Sequence, residues 1–296
     1  MGITKAIIAC VMGIAVMLTI GGCEADKEAT AKKENAQGKE SVVKKVKAEE
    51  PIMQAARVEK LTYFEGAVVR GPKDEKVMSF VFTGGSFGEG MPVILETLKK
   101  HGIKGAFFFT GDFLKIDEYK DYVKQAYADG HYVGPHSYGH PLYCDWSERK
   151  TLITKEEFIA DLEKNFEQLE KDFGISRNEL KYWIPPYEHY NSEVSEWAKE
   201  IGYPLMNITY GTLTHTDYTE ATAKNYRDSE KIFKSVFDYE EKHEDGLNGW
   251  IMLIHAGAGE GRPDKFFNRL DELISGLKDR GYSFVRVDEL IDGPKK

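Results

Sequence analysis

From Val77 onward the chain alternates short apolar runs with stretches of helical, 3.6-residue apolar periodicity. The residues suited to chemistry fall just past the ends of the apolar runs. Together these observations predict an α/β domain on a parallel sheet, open or closed into a barrel, with its site at the C-terminal ends of the strands.

The elements follow in order. Val77–Thr83 is a nearly continuous apolar run, as for a strand covered on both faces. A helix over Met91–His101 follows, with Val93, Ile94, Leu95 and Leu98 apolar and Gly102 as its stop. Gly105–Thr110 is the second strand, and Asp117–Ala128 a helix ending at Gly130. His131–Gly134 is a short third strand that delivers His136. Thr154-Lys155-Glu156-Glu157 reads as a capping box, after which Phe158, Leu162, Phe166, Leu169 and Phe173 share one face up to Gly174. Tyr182–Ile184 reads as a strand running into Pro185-Pro186, and Asn191 caps a helix that Gly202 closes. Leu205–Ile208 and Trp250–Ile254 are further strands, the second carrying His255. A helix opening at Pro263 and Asp264 and a last strand, Ser283–Val287, complete the set.

Before this domain lie two segments of different character. Lys5 followed by apolar residues 6–20 and then Gly21-Gly22-Cys23 has the form of a bacterial lipoprotein signal, cleaved before Cys23 with lipid on its thiol. Residues 1–22 are thus expected to be the signal and residues 23–55 the lipidated cysteine with a polar, flexible tether, leaving 56–296 as the folded domain. Two acyl chains would hold the protein to a membrane at the cell envelope, outside the cytoplasm. Of the three cysteines, Cys10 leaves with the signal and Cys23 is lipidated. Cys144 is then left without a disulfide partner and reads as a small buried apolar residue. A net charge of −9 with no basic stripe argues against nucleic acid as a partner.

Three groups of residues carry the chemistry. His136-Ser137-Tyr138-Gly139-His140 spaces two imidazoles so that they can converge on one cation. Trp183-Ile184-Pro185-Pro186-Tyr187 fixes the backbone past a strand and can aim an N–H at a developing oxyanion. Leu253-Ile254-His255-Ala256-Gly257 places a histidine in the open at a strand end, where it can act as a general acid. Aromatic residues near these loops, with Trp146, Trp183 and Tyr190 as the chosen candidates, offer faces on which sugar rings stack.

In order and spacing these motifs resemble those of the polysaccharide deacetylases of the NodB-homology type, carbohydrate esterase family 4. The resemblance covers about residues 77–291. It implies a distorted (β/α) barrel of about seven parallel strands and hydrolysis of acetyl groups on a polysaccharide or peptidoglycan-type glycan by a metal-bound water. It also implies a divalent cation, zinc foremost, held by His136, His140 and an aspartate. Tyr187 would help to hold the oxyanion, and His255 would protonate the leaving group.

The chain departs from the pattern at three positions. The base aspartate aligns with Thr83, the metal aspartate with Gly84, and the arginine that orients the base with Ile184. Replacement acids are expected among Asp145, Glu188 and Asp217, with Glu89 also near; Asp145 is assigned to the metal, and Glu188 and Asp217 to catalysis. The sequence therefore supports a metal-dependent carbohydrate deacetylase with a rebuilt metal shell. The alternative is a non-catalytic glycan-binding module on the same barrel, because a fold keeps its cleft when its reactive residues are lost.

Overall fold

The computed structural model describes residues 56–294. The expected signal, the Cys23 lipidation site and the tether lie outside the described residues. A hairpin that the sequence reading missed comes first: β1 (Thr62–Phe64) and β2 (Ala67–Arg70) are antiparallel. Its two-residue turn, Glu65-Gly66, has φ of 46° and 81°. Positive φ at both central positions suits the right-handed twist of the flanking strands.

The main sheet is parallel and runs β5–β4–β3–β6, with β3 spanning Val77–Gly84, β4 Ala106–Phe109, β5 Tyr132–Pro135 and β6 Ile251–His255. β7 (Ser283–Phe284) pairs with the start of β3. The central β3 is buried along almost its whole length, which is why it reads as an unbroken apolar run. Around the sheet pack α1 (Met91–His101), α2 (Asp117–Ala128), α3 (Lys155–Phe173), α4 (Ser192–Glu200), α5 (Ser229–Lys242), α6 (Leu270–Asp279) and α7 (Val287–Asp292). The capping box of α3 forms as expected, with Thr154 and Glu157 exchanging hydrogen bonds and Gly174 closing the helix at φ 68°.

Three expected strands are reduced. The segments 182–184 and 205–208 meet only through an isolated bridge, Trp183 to Leu205, and the last strand stops after two residues because the chain turns into α7. Pro185 and Pro186 end the first of these segments and Pro204 precedes the second, so few N–H groups are available for a ladder. The ring of strands is nonetheless nearly complete. Met206 donates to the Trp183 carbonyl, Asn207 to that of Val68 and Thr209 to that of Ile251. Between β5 and the 182–184 segment the link is made by side chains: the Tyr132 hydroxyl donates to the Tyr182 carbonyl at 2.6 Å and accepts from the Tyr182 N–H at 2.9 Å. The sheet is thus a distorted barrel with one seam closed by side chains rather than by a ladder.

The core is strongly aromatic. Rings stack in sequence from Phe82 to Phe107 (4.9 Å between centroids), Phe109, Phe113 (4.5 Å from Phe109) and Tyr119 (5.0 Å from Phe113). This column ends beneath the tip of β3. Helix α5 and the β1–β2 hairpin were not anticipated, and the helix expected from Pro263 begins only at Leu270, after a 3-10 turn over Phe266–Arg269.

Candidate functional site

Thr83 at the end of β3, His136 just past β5 and His255 at the end of β6 open onto one cleft of about 590 Å³, together with His140, Tyr187 and Glu188. The three sequence motifs therefore meet, and they do so at the strand C-termini.

Each histidine is held by its surroundings. The Nδ1–H of His136 donates to the Ile184 carbonyl at 3.0 Å, leaving Nε2 as the bare lone pair. Its backbone N–H is accepted by the buried Asn165 at 3.0 Å. Burial, and then the neighbouring His140, keep the His136 pKa well below its ordinary value. The His140 ring lies 5.0 Å from that of His136 and 4.3 Å from that of Tyr187, and burial pushes its pKa down to about 4. Both imidazoles are accordingly neutral at physiological pH.

The loop between them is clamped by Asp161 on α3, a residue the sequence reading did not single out. Its carboxylate accepts from the Ser137 hydroxyl, from the Tyr138 N–H at 3.0 Å and from the Gly139 N–H at 2.7 Å. Ser137 and His140 have φ of 69° and 53°, and Tyr187 and Glu188 have 59° and 52°. Left-handed backbone is costly for such residues, and it is gathered here around the cleft.

His255 is paired with the buried Asp217. The His255 N–H donates to Asp217 Oδ2 at 3.0 Å, and Nδ1 donates to Oδ1 at 2.6 Å. Burial draws the imidazole pKa down, but the Asp217 carboxylate outweighs it and the net shift is upward. Asp217 thus spends both oxygens on His255 and is its positioning partner, not a free base. Glu188 lines the cleft, and burial pushes its pKa up to about 7, with the Asp217 charge adding to the rise against the pull of His255.

Other candidates fall elsewhere. Asp145 holds its own loop, with Oδ1 accepting from Ser147 and Glu148 and Oδ2 from the Lys150 N–H at 2.6 Å. The Glu148 N–H and then the Ser147 hydroxyl hold its carboxyl well below the usual range. Trp183 is fully buried against Tyr143 and Phe158, and its indole donates to the Tyr203 carbonyl, so it belongs to the core and cannot stack on a sugar. Tyr190 is also almost wholly buried, with its hydroxyl on the Phe64 carbonyl; it lines a neighbouring hollow instead of the cleft. Trp146 is 63% exposed, lines the cleft and stacks on His189 at 4.4 Å. Glu89 bonds the Ala258 and Gly259 N–H groups and Lys265, each at 2.8 Å, and so fixes the loop after His255. Cys144 is buried and free, as expected.

The residues present do not fit the metal of the resembled family. The donor set at the His136 loop is two imidazoles, and among the described residues no three His, Cys, Asp or Glu side chains come together to hold an ion. The place of the missing carboxylate has been filled. A Cβ on Gly84 would lie 2.8 Å from atoms of the Phe109 and Phe113 rings. At the position of the base, the Thr83 hydroxyl is buried and has no hydrogen-bond partner.

The histidine loop, the Pro-Pro-Tyr turn and the terminal histidine thus meet at one end of a parallel sheet, in the arrangement that a fold of the polysaccharide-deacetylase class implies. A family model described as polysaccharide deacetylase matches residues 70–206. The peptidoglycan-N-acetylmuramic acid deacetylase PdaA of Bacillus subtilis is 26% identical over 221 residues, 75% of this chain and 73% of that protein. The solved structure of PdaA, a family 4 carbohydrate esterase, superposes with a TM-score of 0.60 at 25% identity, covering 80% of this chain and 87% of that one. A CE4 family pseudoenzyme from Bacillus anthracis superposes with a TM-score of 0.61 at 22% identity, covering 79% and 72%. Residues 70–206 thus match the polysaccharide deacetylase family, and the described domain shares the NodB-type fold of these relatives.

Proposed function

We propose that this chain is a cell-envelope protein that binds an N-acetylated glycan of the peptidoglycan type in the deacetylase cleft without metal-dependent turnover. The observation that carries this reading is the filled position at Gly84: the rings of Phe109 and Phe113 stand where a metal-binding carboxylate would have to project. What remains of the cleft suits recognition. Trp146, Tyr187, Tyr210 and Tyr218 are about half exposed or more and border it, giving several faces for sugar rings. The glycan class is supported by the relatives, among them the N-acetylmuramic acid deacetylase and a peptidoglycan-N-acetylglucosamine deacetylase of Bacillus cereus.

A second reading, a metal-dependent hydrolase with a rebuilt shell, is favoured by one specific observation. His136 and His140 are neutral, 5.0 Å apart, and share the cleft with an intact His255–Asp217 pair. Asp145 is not available to it, since backbone and hydroxyl donors occupy both of its oxygens.

The full chain, titrated with N-acetylated peptidoglycan fragments and assayed for acetate with and without added zinc, separates the two. Saturable binding with no acetate release supports the binding reading. Acetate release that needs zinc and disappears in His136→Ala would establish the hydrolase instead.

A further inference from the structure

Beside the cleft lies a second hollow of about 460 Å³, and Glu188 and Tyr210 line both. Each volume is within the roughly 300–1,000 Å³ of small-molecule sites. The hollow is walled by Tyr63, Phe64 and Tyr190 and carries three cations, Arg70, Lys73 and Arg149. Two of these are engaged. Arg70 is buried and donates to the carbonyls of Asn248 and Gly246 at 2.7 and 2.9 Å, and Lys73 pairs with Asp245 at 3.3 Å.

Arg149 differs. Its Nη1 donates to the Tyr190 carbonyl, and its guanidinium sits 5.1 Å from the Phe64 ring centroid. Among the described residues no carboxylate lies within ion-pair distance of it, and Nε and Nη2 have no partner. Its backbone is in the left-handed region at φ 57°, so the loop holds it there against its own preference. A second unpaired group points the same way. Asn207, 1% exposed, lines the hollow and donates to the Glu188 carbonyl at 2.7 Å, while its Oδ1 is buried with no donor. A buried amide oxygen without a donor is costly unless something else completes it, and beside it the guanidinium of Arg149 lines the same hollow with no anion on it.

We infer that this hollow is a subsite for a sugar bearing a carboxylate, with Arg149 taking the acid, Asn207 accepting from a hydroxyl or amide N–H, and Tyr63 and Tyr210 packing on the ring. Such a sugar would neighbour the one in the cleft, across the shared wall of Glu188 and Tyr210. The planar guanidinium fits a carboxylate in a fixed fork, which a surface lysine does not reproduce. The inference rests on the glycan-binding reading above and narrows it to acidic glycans.

The test uses the full chain in detergent and two tetrasaccharides of equal length by calorimetry: neutral N-acetylchitotetraose, and alternating N-acetylglucosamine and N-acetylmuramic acid. The acidic glycan is expected to bind roughly tenfold tighter at low salt. Arg149→Gln, whose amide can still donate toward the Tyr190 carbonyl, and Arg149→Ala should both cut that preference to about twofold or less, with neutral-glycan affinity retained as proof of an intact fold. Equal wild-type affinity for both glycans, or a preference that survives Arg149→Gln, overturns the subsite while leaving the glycan-binding reading standing. Failure of both glycans to bind overturns that reading and the subsite with it. Tighter binding of a phosphate-substituted oligosaccharide than of the acidic one overturns the carboxylate assignment.

Discussion

At the residue scale, the charge states around the cleft are set by burial and by one ion pair. Glu188 has a folded pKa of about 7 against an ordinary 4.5. A carboxyl whose folded value is raised keeps its proton longer in the folded state, so its contribution to stability falls as pH rises from about 4.5 through 7. Glu188→Gln removes that dependence. The melting temperature of the variant relative to wild type should therefore climb across this window and level off above it, as calorimetry at several pH values would show. A difference that is flat with pH would mean that Glu188 is solvated. Asp217→Asn should lower the His255 pKa, because it removes the charge that holds the imidazolium; the His255 ring protons in an NMR titration read this directly. The pairing of His255 with Asp217 was only half legible in sequence. His255 stands out at the end of an apolar strand, and Asp217 was picked as an acid. That Asp217 serves His255 depends on a contact 38 residues apart, which no local pattern records.

At the scale of elements, helix α3 does more than cover the sheet. Its start was plain from the capping box, and Thr154→Ala should cost about 1 kcal/mol in chemical denaturation. Its inward face carries Asn165 among Leu162, Phe166 and Leu169, and a polar residue on an apolar stripe was a readable sign that something there needed an acceptor. Asp161 gave no such sign, since α3 has many acids. Yet it gathers three donors of the histidine loop. Asp161→Ala leaves those donors unpaired and should destabilise the fold by about 2–3 kcal/mol, with larger losses of hydrogen-exchange protection at Tyr138 and Gly139 than elsewhere. Conversely, the strands at 182–184 and 205–208 were overread, because apolar runs look alike whether or not prolines leave them the donors for a ladder.

For the molecule as a whole, alternation of strand and helix was enough to reveal the parallel barrel and the end of it that holds the site. It could not reveal how the interior is packed. The stacked rings from Phe82 to Tyr119 come from four elements, the strands β3 and β4, the 3-10 turn at Phe113 and helix α2, and only folding brings them into one column. Residues 1–55 bear on the whole molecule in another way: if Cys23 is the lipid anchor, Cys23→Ser should move the protein from the membrane fraction to the soluble one on cell fractionation.

The column also bears on how the chain could change. Restoring an acid at position 84 drives it into two rings, so Gly84→Asp alone should cost roughly 3 kcal/mol or more and take up no zinc. Only when both Phe109 and Phe113 give way does the carboxylate have anywhere to go. Any return to a carboxylate at this position is therefore a joint event, in which the rings must be cut back together with the substitution, and the changes at Thr83 and Ile184 stand as further steps beyond it.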